Sequence, residues 1–245
     1  MGKKQRTRTH KRRGSGMSRP IDGRRWSAVR IFEGPAPGPD IVSASVDEVM
    51  AAIESVPQGL EWADLADRVI PVFQRVRPYP PGMPEPIRVV VPPGLTVGFG
   101  VDIGPAFLGV HADMLDGWPV TVAELLERAL ANLARRMAAV KRDELIASSV
   151  AEVPIRALQS SSGCASTYVL LPEALSRIFG TAPQLLIAPM RNLLVSIPPG
   201  TDREFAAWLF EEFSAQDPNG LAPAAFVVRD RALEVEPLGD AYGRA

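Results

Sequence analysis

Residues 95–133 read LTVGFGVDIGPAFLGVHADMLDGWPVTVAELLERALANL, and this stretch decides the fold. Leu95, Val97, Phe99, Val101 and Ile103 alternate with Thr96, Gly98, Gly100 and Asp102, the period of two of a half-buried strand. Val122, Leu125, Leu126, Ala129, Leu130, Leu133 and Met137 recur at spacings of three and four. They make one apolar helix face, long enough to cover a sheet. Thr121 and Glu124 stand as a capping box at its start. Between them, a Gly104-Pro105 turn leads to a second strand at 107–111. Strand, strand and covering helix in this order predict an α+β protein in which antiparallel hairpins are covered by amphipathic helices.

The same alternation extends in both directions. Upstream, Ser45 and Glu48 head a helix with Val46, Val49, Met50 and Ile53 on one face, and Pro57 and Gly59 stop it. A short helix to about residue 67 precedes a strand at 69–76, which Pro71 places near a sheet edge. A five-proline loop at 78–86 leads to a strand at 87–91. Past 141–149, strands are expected at 155–159 and 166–171, with the polar turn Ser160-Ser161-Ser162-Gly163 between them. A helix at 172–179 has Pro172 in its first turn and Gly180 as its stop. Strands at 184–188 and 193–197 flank Pro189-Met190-Arg191-Asn192. Thr201 and Glu204 form another capping box, before a helix that buries Phe205, Trp208, Leu209 and Phe213. Asn219-Gly220 is a turn, and strands at 225–229 and 232–236 meet about Asp230. Hairpins followed by helices hint at two related halves, 45–148 and 149–240, without a residue-level repeat.

Composition sets limits on function. With 245 residues, 46% apolar and 22% charged, the chain can bury a core. No apolar run approaches the roughly 20 residues that span a bilayer. No apolar segment follows the basic start as in a secretory signal, so the cytoplasm is the expected compartment. Cys164 is the single cysteine, and His10 and His111 are the two histidines. These counts argue against an internal disulfide, cysteine-held zinc and most histidine-based catalysis, and no cofactor is expected.

Net charge is −1, but it is unevenly placed. Residues 1–25 carry Lys3, Lys4, Arg6, Arg8, Lys11, Arg12, Arg13, Arg19, Arg24 and Arg25 against Asp22, leaving 17 basic and 27 acidic residues elsewhere. Residues 1–24 have almost no apolar content and read as a disordered basic arm. A short strand at 26–32 and a proline-rich linker complete 25–44, before the α+β domain at 45–240. The arm could hold nucleic acid through phosphates, with Lys3, Lys4, Arg6, Arg8, Lys11, Arg12 and Arg13 as its contacts. It has no aromatic residues for base stacking. Two readings compete: a solvated tail, or translation from Met17.

Several marks recur in a fixed order: Arg68-Val69-Ile70-Pro71-Val72, the segment from Val97 to Leu133 with Val101-Asp102-Ile103-Gly104 and Trp118, Pro189-Met190-Arg191-Asn192 before Leu193-Leu194-Val195, and Ala232-Leu233-Glu234-Val235-Glu236-Pro237. In these the chain resembles the bacterial YtpQ-like family of uncharacterised proteins, over about 68–237. Asn192 stands where that family often has an acidic residue. The resemblance implies the fold and carries no activity.

Four body residues are weak candidates for binding: Asp102, His111, Arg191 and Asn192. His111 lies near Asp113 and Asp116, a setting that suits a base or metal ligand; a surface or locally hydrogen-bonded histidine is the plainer reading. Asp102, Arg191 and Asn192 fall at hairpin turns, where a rigid sheet presents side chains and where Asp and Asn also serve turn geometry. Ser160, Ser161, Ser162 and Cys164 lack the spacing of a nucleophile elbow, and Cys164 reads as a small, partly buried residue. Gly98-Phe99-Gly100 lies inside a strand without a phosphate-loop lysine, so these glycines let a helix or another backbone pack closely. Glu124, Glu127, Arg128, Arg135 and Arg136 read as the solvated face of the long helix. The expected function is a non-catalytic binding or adaptor protein. Its alternatives are nucleic-acid association through the arm, and an enzyme with a site near the 102 and 191 turns.

Overall fold

The computed structural model describes residues 20–21, 24–25, 46–55, 61–73, 84–92, 94–104, 106–141, 144–160, 163–215, 221 and 223–238. In chain order the elements are β1 (Pro20–Ile21), β2 (Arg24–Arg25), α1 (Val46–Glu54), α2 (Trp62–Leu65), β3 (Val69–Phe73), β4 (Arg88–Val91), β5 (Leu95–Asp102), β6 (Phe107–Gly109), α3 (Ala112–Asp116) and α4 (Val122–Ala139). Then come β7 (Ile146–Val150), β8 (Val153–Gln159), a 3₁₀ helix (Ala165–Leu170), α5 (Pro172–Phe179), β9 (Gln184–Met190), β10 (Leu193–Ile197), α6 (Arg203–Ser214), β11 (Ala224–Arg229) and β12 (Ala232–Pro237). This is the α+β class, with every strand pair antiparallel. Of the basic arm, Pro20–Ile21 and Arg24–Arg25 are described, as a two-residue pair. Lys3, Lys4, Arg6, Arg8, Lys11, Arg12 and Arg13 lie outside the described residues, as do the 26–32 strand, the proline-rich linker, Ser45 and the Asn219-Gly220 turn.

The first sheet is built on β5. Strand β3 pairs along one edge of β5; β4 and β6 share the other. The Asp102 amide bonds to the Arg68 carbonyl at 3.0 Å, so by the antiparallel alternation Val69, Pro71 and Phe73 turn their backbone groups away from β5. Pro71, which has no N–H, therefore costs the ladder nothing on this edge. The outward Val69 carbonyl accepts from Asn132 Nδ2 of α4 at 2.7 Å, as does the Ala66 carbonyl at 2.7 Å. Asn132 is 2% exposed, and these bonds offset the cost of burying its amide.

Helix α4 begins as its sequence predicts. The Thr121 hydroxyl accepts from the Glu124 amide, and the Glu124 carboxylate accepts from the Thr121 amide at 2.7 Å. Those bonds hold the Glu124 carboxyl below its usual range. At the other end Arg177 of α5 donates to the Met137 and Ala138 carbonyls, supplying acceptor groups that a helix terminus leaves open. Leu125 and Ala129 pack with Leu65, Val69, Phe99, Val101 and Trp118 on one side of the sheet.

The second sheet runs β12-β11-β9-β10-β8-β7. Leu185, Ile187, Val195, Ile197, Ala225 and Val227 lie under Phe205, Leu209, Phe210 and Phe213 of α6. The alternate residues Leu158, Leu186, Leu194, Phe226 and Val228 join Ile70, Val72, Val97, Leu133, Met137 and Tyr168 in a cluster shared with the first sheet. Phe73 and Phe226 stack across it, ring centroids 6.1 Å apart. Among the described residues no helix is long and apolar enough to cross a membrane.

The structure corrects several expectations. β5 is not half-buried: Val97 through Val101 are buried on both faces, because the second sheet and its 3₁₀ helix cover the glycine face. Residues 166–171 are not a strand. Ala165–Leu170 form a 3₁₀ helix buried from Ala165 to Val169, and enclosure on every side removes the alternation that marks a strand. The strand of that hairpin is Ile146–Val150, paired with β8. Asp202, not Thr201, caps α6, accepting from the Glu204 amide at 2.8 Å.

Two hairpins turn through non-glycine residues at positive φ: Ala151 and Glu152 at 48° and 67°, Asp230 and Arg231 at 50° and 64°. Two-residue turns of this hand match strand twist, and they favour Asn-Gly. Replacing Ala151-Glu152 by Asn-Gly should therefore stabilise the fold by about 1 kcal/mol, given the penalty for side chains in the left-handed region. Urea denaturation of the A151N/E152G variant checks this; an unchanged midpoint would refute it.

Candidate functional site

Three sequence-nominated segments meet where the sheets join. β8 delivers Ser160 beside the turn between β9 and β10, and the Ser160 amide bonds to the Asn192 carbonyl at 2.9 Å. Six residues later the Ser166 amide bonds to the Arg191 carbonyl at 3.0 Å. The loop is thus strapped at both ends to the Arg191-Asn192 turn. Gly163, at φ 66°, presents its backbone to the first sheet, where a Cβ would lie 3.1 Å from the Phe107 ring. Phe107 also fills the space above Gly100, where a Cβ would meet the Phe107 Cβ at 3.1 Å and Val72 Cγ1 at 3.3 Å. The Gly100 gap therefore receives a side chain from the adjoining strand, not a helix or a second backbone.

Behind the strap lies a buried polar row. Cys164 is 0% exposed, which corrects the expectation of partial burial. Its thiol donates to Tyr168 Oη at 3.4 Å and lies 3.9 Å from Ser160 Oγ. Burial pushes the Tyr168 phenol well above its ordinary range; Cys164 adds to the rise, while Ser160 and Arg136 oppose it. The Cys164 thiol is therefore a member of the core, closed off from solvent.

Asp102 is held from three directions. Its carboxylate takes Arg136 at 2.6 Å and the Gly104 amide at 2.7 Å, and its carbonyl accepts from Arg68 Nε at 2.7 Å. The Asp102 and Arg136 side chains are each 23% exposed, so Arg136 is not part of a solvated face. It ties α4 to the end of β5. Arg128 and Arg135 meet Asp67 at 3.6 and 2.9 Å in exposed pairs of the kind that contribute little.

His111 stands elsewhere. It bridges Pro86 and precedes α3, half-buried, with its ring against Gly109. Asp113 and Asp116 are exposed, and among the described residues no group of three or more His, Cys, Asp or Glu could hold a metal. Arg191 and Asn192 are half-buried at their turn. Among the described residues neither the buried Arg191 Nε nor the Ser166 hydroxyl has a hydrogen-bond partner.

Sequence reasoning missed Arg136, Tyr168 and Ser166. Arg136 was legible: it lies three residues past Leu133 and beside Met137, on the margin of the apolar stripe. Tyr168 and Ser166 were hidden by a strand-like composition.

The raised phenol gives a pH prediction. Folding favours the protonated Tyr168, so its contribution is complete below the unfolded value of about 10 and is lost as pH rises through the folded value. Thermal midpoints from pH 9 to 11 should fall more steeply in the wild type than in Tyr168→Phe; parallel curves would contradict it. No family model, curated protein or solved structure matches the chain.

Proposed function

We propose that this chain is a non-catalytic, cytoplasmic binding protein that takes an extended segment of a partner protein as an added strand along β7. The observation that carries this reading is the contrast between the two edges of the second sheet. β12 carries Glu234, Glu236 and Pro237, the charges and proline that discourage further pairing. β7 reads Ile-Ala-Ser-Ser-Val, with Ala147 and Ser149 exposed and neither charge nor proline. Among the described residues β8 is its sheet neighbour. Strand addition draws affinity from backbone bonds along such an edge.

The candidate residues support binding over catalysis. Asp102 is engaged by Arg136 and a backbone amide, and Cys164 is enclosed. No acid, base and nucleophile converge on a reacting position there. The order of strand and turn marks supports grouping the chain with the YtpQ-like family, and that grouping belongs to the same proposal.

The two-residue turn closing on Val150 and Val153 leaves the Ala147 and Ser149 amides facing outward. Peptides selected from a random display library on the full chain should protect these two amides from hydrogen exchange. Ser149→Pro, which removes one outward donor, should weaken binding at least about tenfold, the scale of one or two lost hydrogen bonds. Protection elsewhere, or full affinity in Ser149→Pro, would overturn the reading.

A further inference from the structure

The two faces of β7 differ, and the difference bears on what kind of segment the edge takes. The turn at Ala151-Glu152 pairs Val150 with Val153. Ile146, Ser148 and Val150 therefore bond inward to β8, and Ala147 and Ser149 turn their backbone groups outward. Val150 is 0% exposed and, with the half-buried Ile146, packs in the cluster of Ile155, Ala157 and Phe205 on the α6 side. Ser148 lies between them on that face, half-buried, while Ala147 and Ser149 lie exposed on the other.

An antiparallel strand added here bonds through its residues opposite Ala147 and Ser149, and the side chains of those residues fall on the exposed face. Its residues opposite Ile146, Ser148 and Val150 take the non-hydrogen-bonded positions, where Cα atoms approach to about 4.5 Å and side chains meet. Those side chains land on the α6 side and extend its apolar cluster. Ser148 is the smallest of its row, so a large side chain opposite it reaches Ile146 and Val150 diagonally. A charge placed there would lose water beside Ile146 with no opposite charge on β7 to pair with. A second copy of the chain is a poorer occupant. The antiparallel register that joins the outward residues of two β7 strands turns about Ser148 and sets Glu144 against Glu152 of the other copy. Both are exposed, and like charges opposed in this way are unfavourable.

Resting on the β7 reading, we infer that the partner segment is an amphipathic strand. It carries apolar residues at every second position on the α6 side, the largest opposite Ser148, with polar residues between them.

Two peptides of one composition test this on the full chain: Lys-Val-Thr-Phe-Thr-Val-Lys, which alternates, and Lys-Thr-Val-Phe-Val-Thr-Lys, which does not. The alternating peptide should protect the Ala147 and Ser149 amides from hydrogen exchange and bind about tenfold more tightly, the scale of two cross-strand apolar pairs. Ser148→Lys, which puts a charge on the α6 side, should abolish that preference, and Ser149→Lys on the exposed face should keep it. Equal affinities would overturn the inference, as would a preference lost in Ser149→Lys and kept in Ser148→Lys. Protection of the two amides by library-selected peptides but by neither of these would overturn the inference alone; protection by none would overturn the edge reading as well. Protection that appears without peptide and grows with protein concentration would give the edge to a second copy and overturn the inference.

Discussion

Phe107 wedged between two glycines is the contact on which the rest of this structure depends. Gly100 leaves the room beneath it in the first sheet, and Gly163 leaves room on the side of the second. With those gaps filled by one aromatic side chain, the glycine face of β5 becomes interior. The shared cluster of Ile70, Val72, Leu133, Met137, Tyr168, Leu186, Leu194 and Phe226 can then close. A side chain larger than hydrogen at either glycine would meet Phe107 at 3.1 Å. Interiors packed at crystal-like density give way to such contacts only by shifting neighbours.

Closure fixes the chemistry available at the junction. Burial turns Cys164 and Tyr168 into members of the core and draws Arg136 onto Asp102. The strap is sewn to the Arg191-Asn192 turn by two backbone bonds. Among the described residues β7 has β8 as its sheet neighbour, and this edge is what the proposed binding role rests on.

Much of the fold was legible in the sequence because local rules and tertiary packing agree there. Thr121 and Glu124 form their capping box, Pro172 and Gly180 bracket α5, and Pro71 lies on an edge. Where burial is complete, periodicity loses its meaning. The alternation of β5 read as one wet face because glycine and aspartate occupy it, yet Phe107 and the second sheet cover that face. Ala165–Leu170 has the composition of a strand but is surrounded by α4, α5, β3, β9 and β10, and a 3₁₀ turn fits that space. Asp102, Arg191 and Asn192 could be nominated from their turns. That Asp102 would find Arg136 depends on distant segments that no local pattern encodes.

Native-state hydrogen exchange is the most direct measurement of whether the wedge makes the two sheets one body. The slowest amides of β5 and of β10 should open with the same free energy and the same urea dependence, as parts of a single cooperative unit. In Phe107→Ala both sets should fall by the same amount, about 2 kcal/mol or more. A variant in which β5 loses protection while β10 keeps its own would show two sheets that stand separately, and would contradict the account.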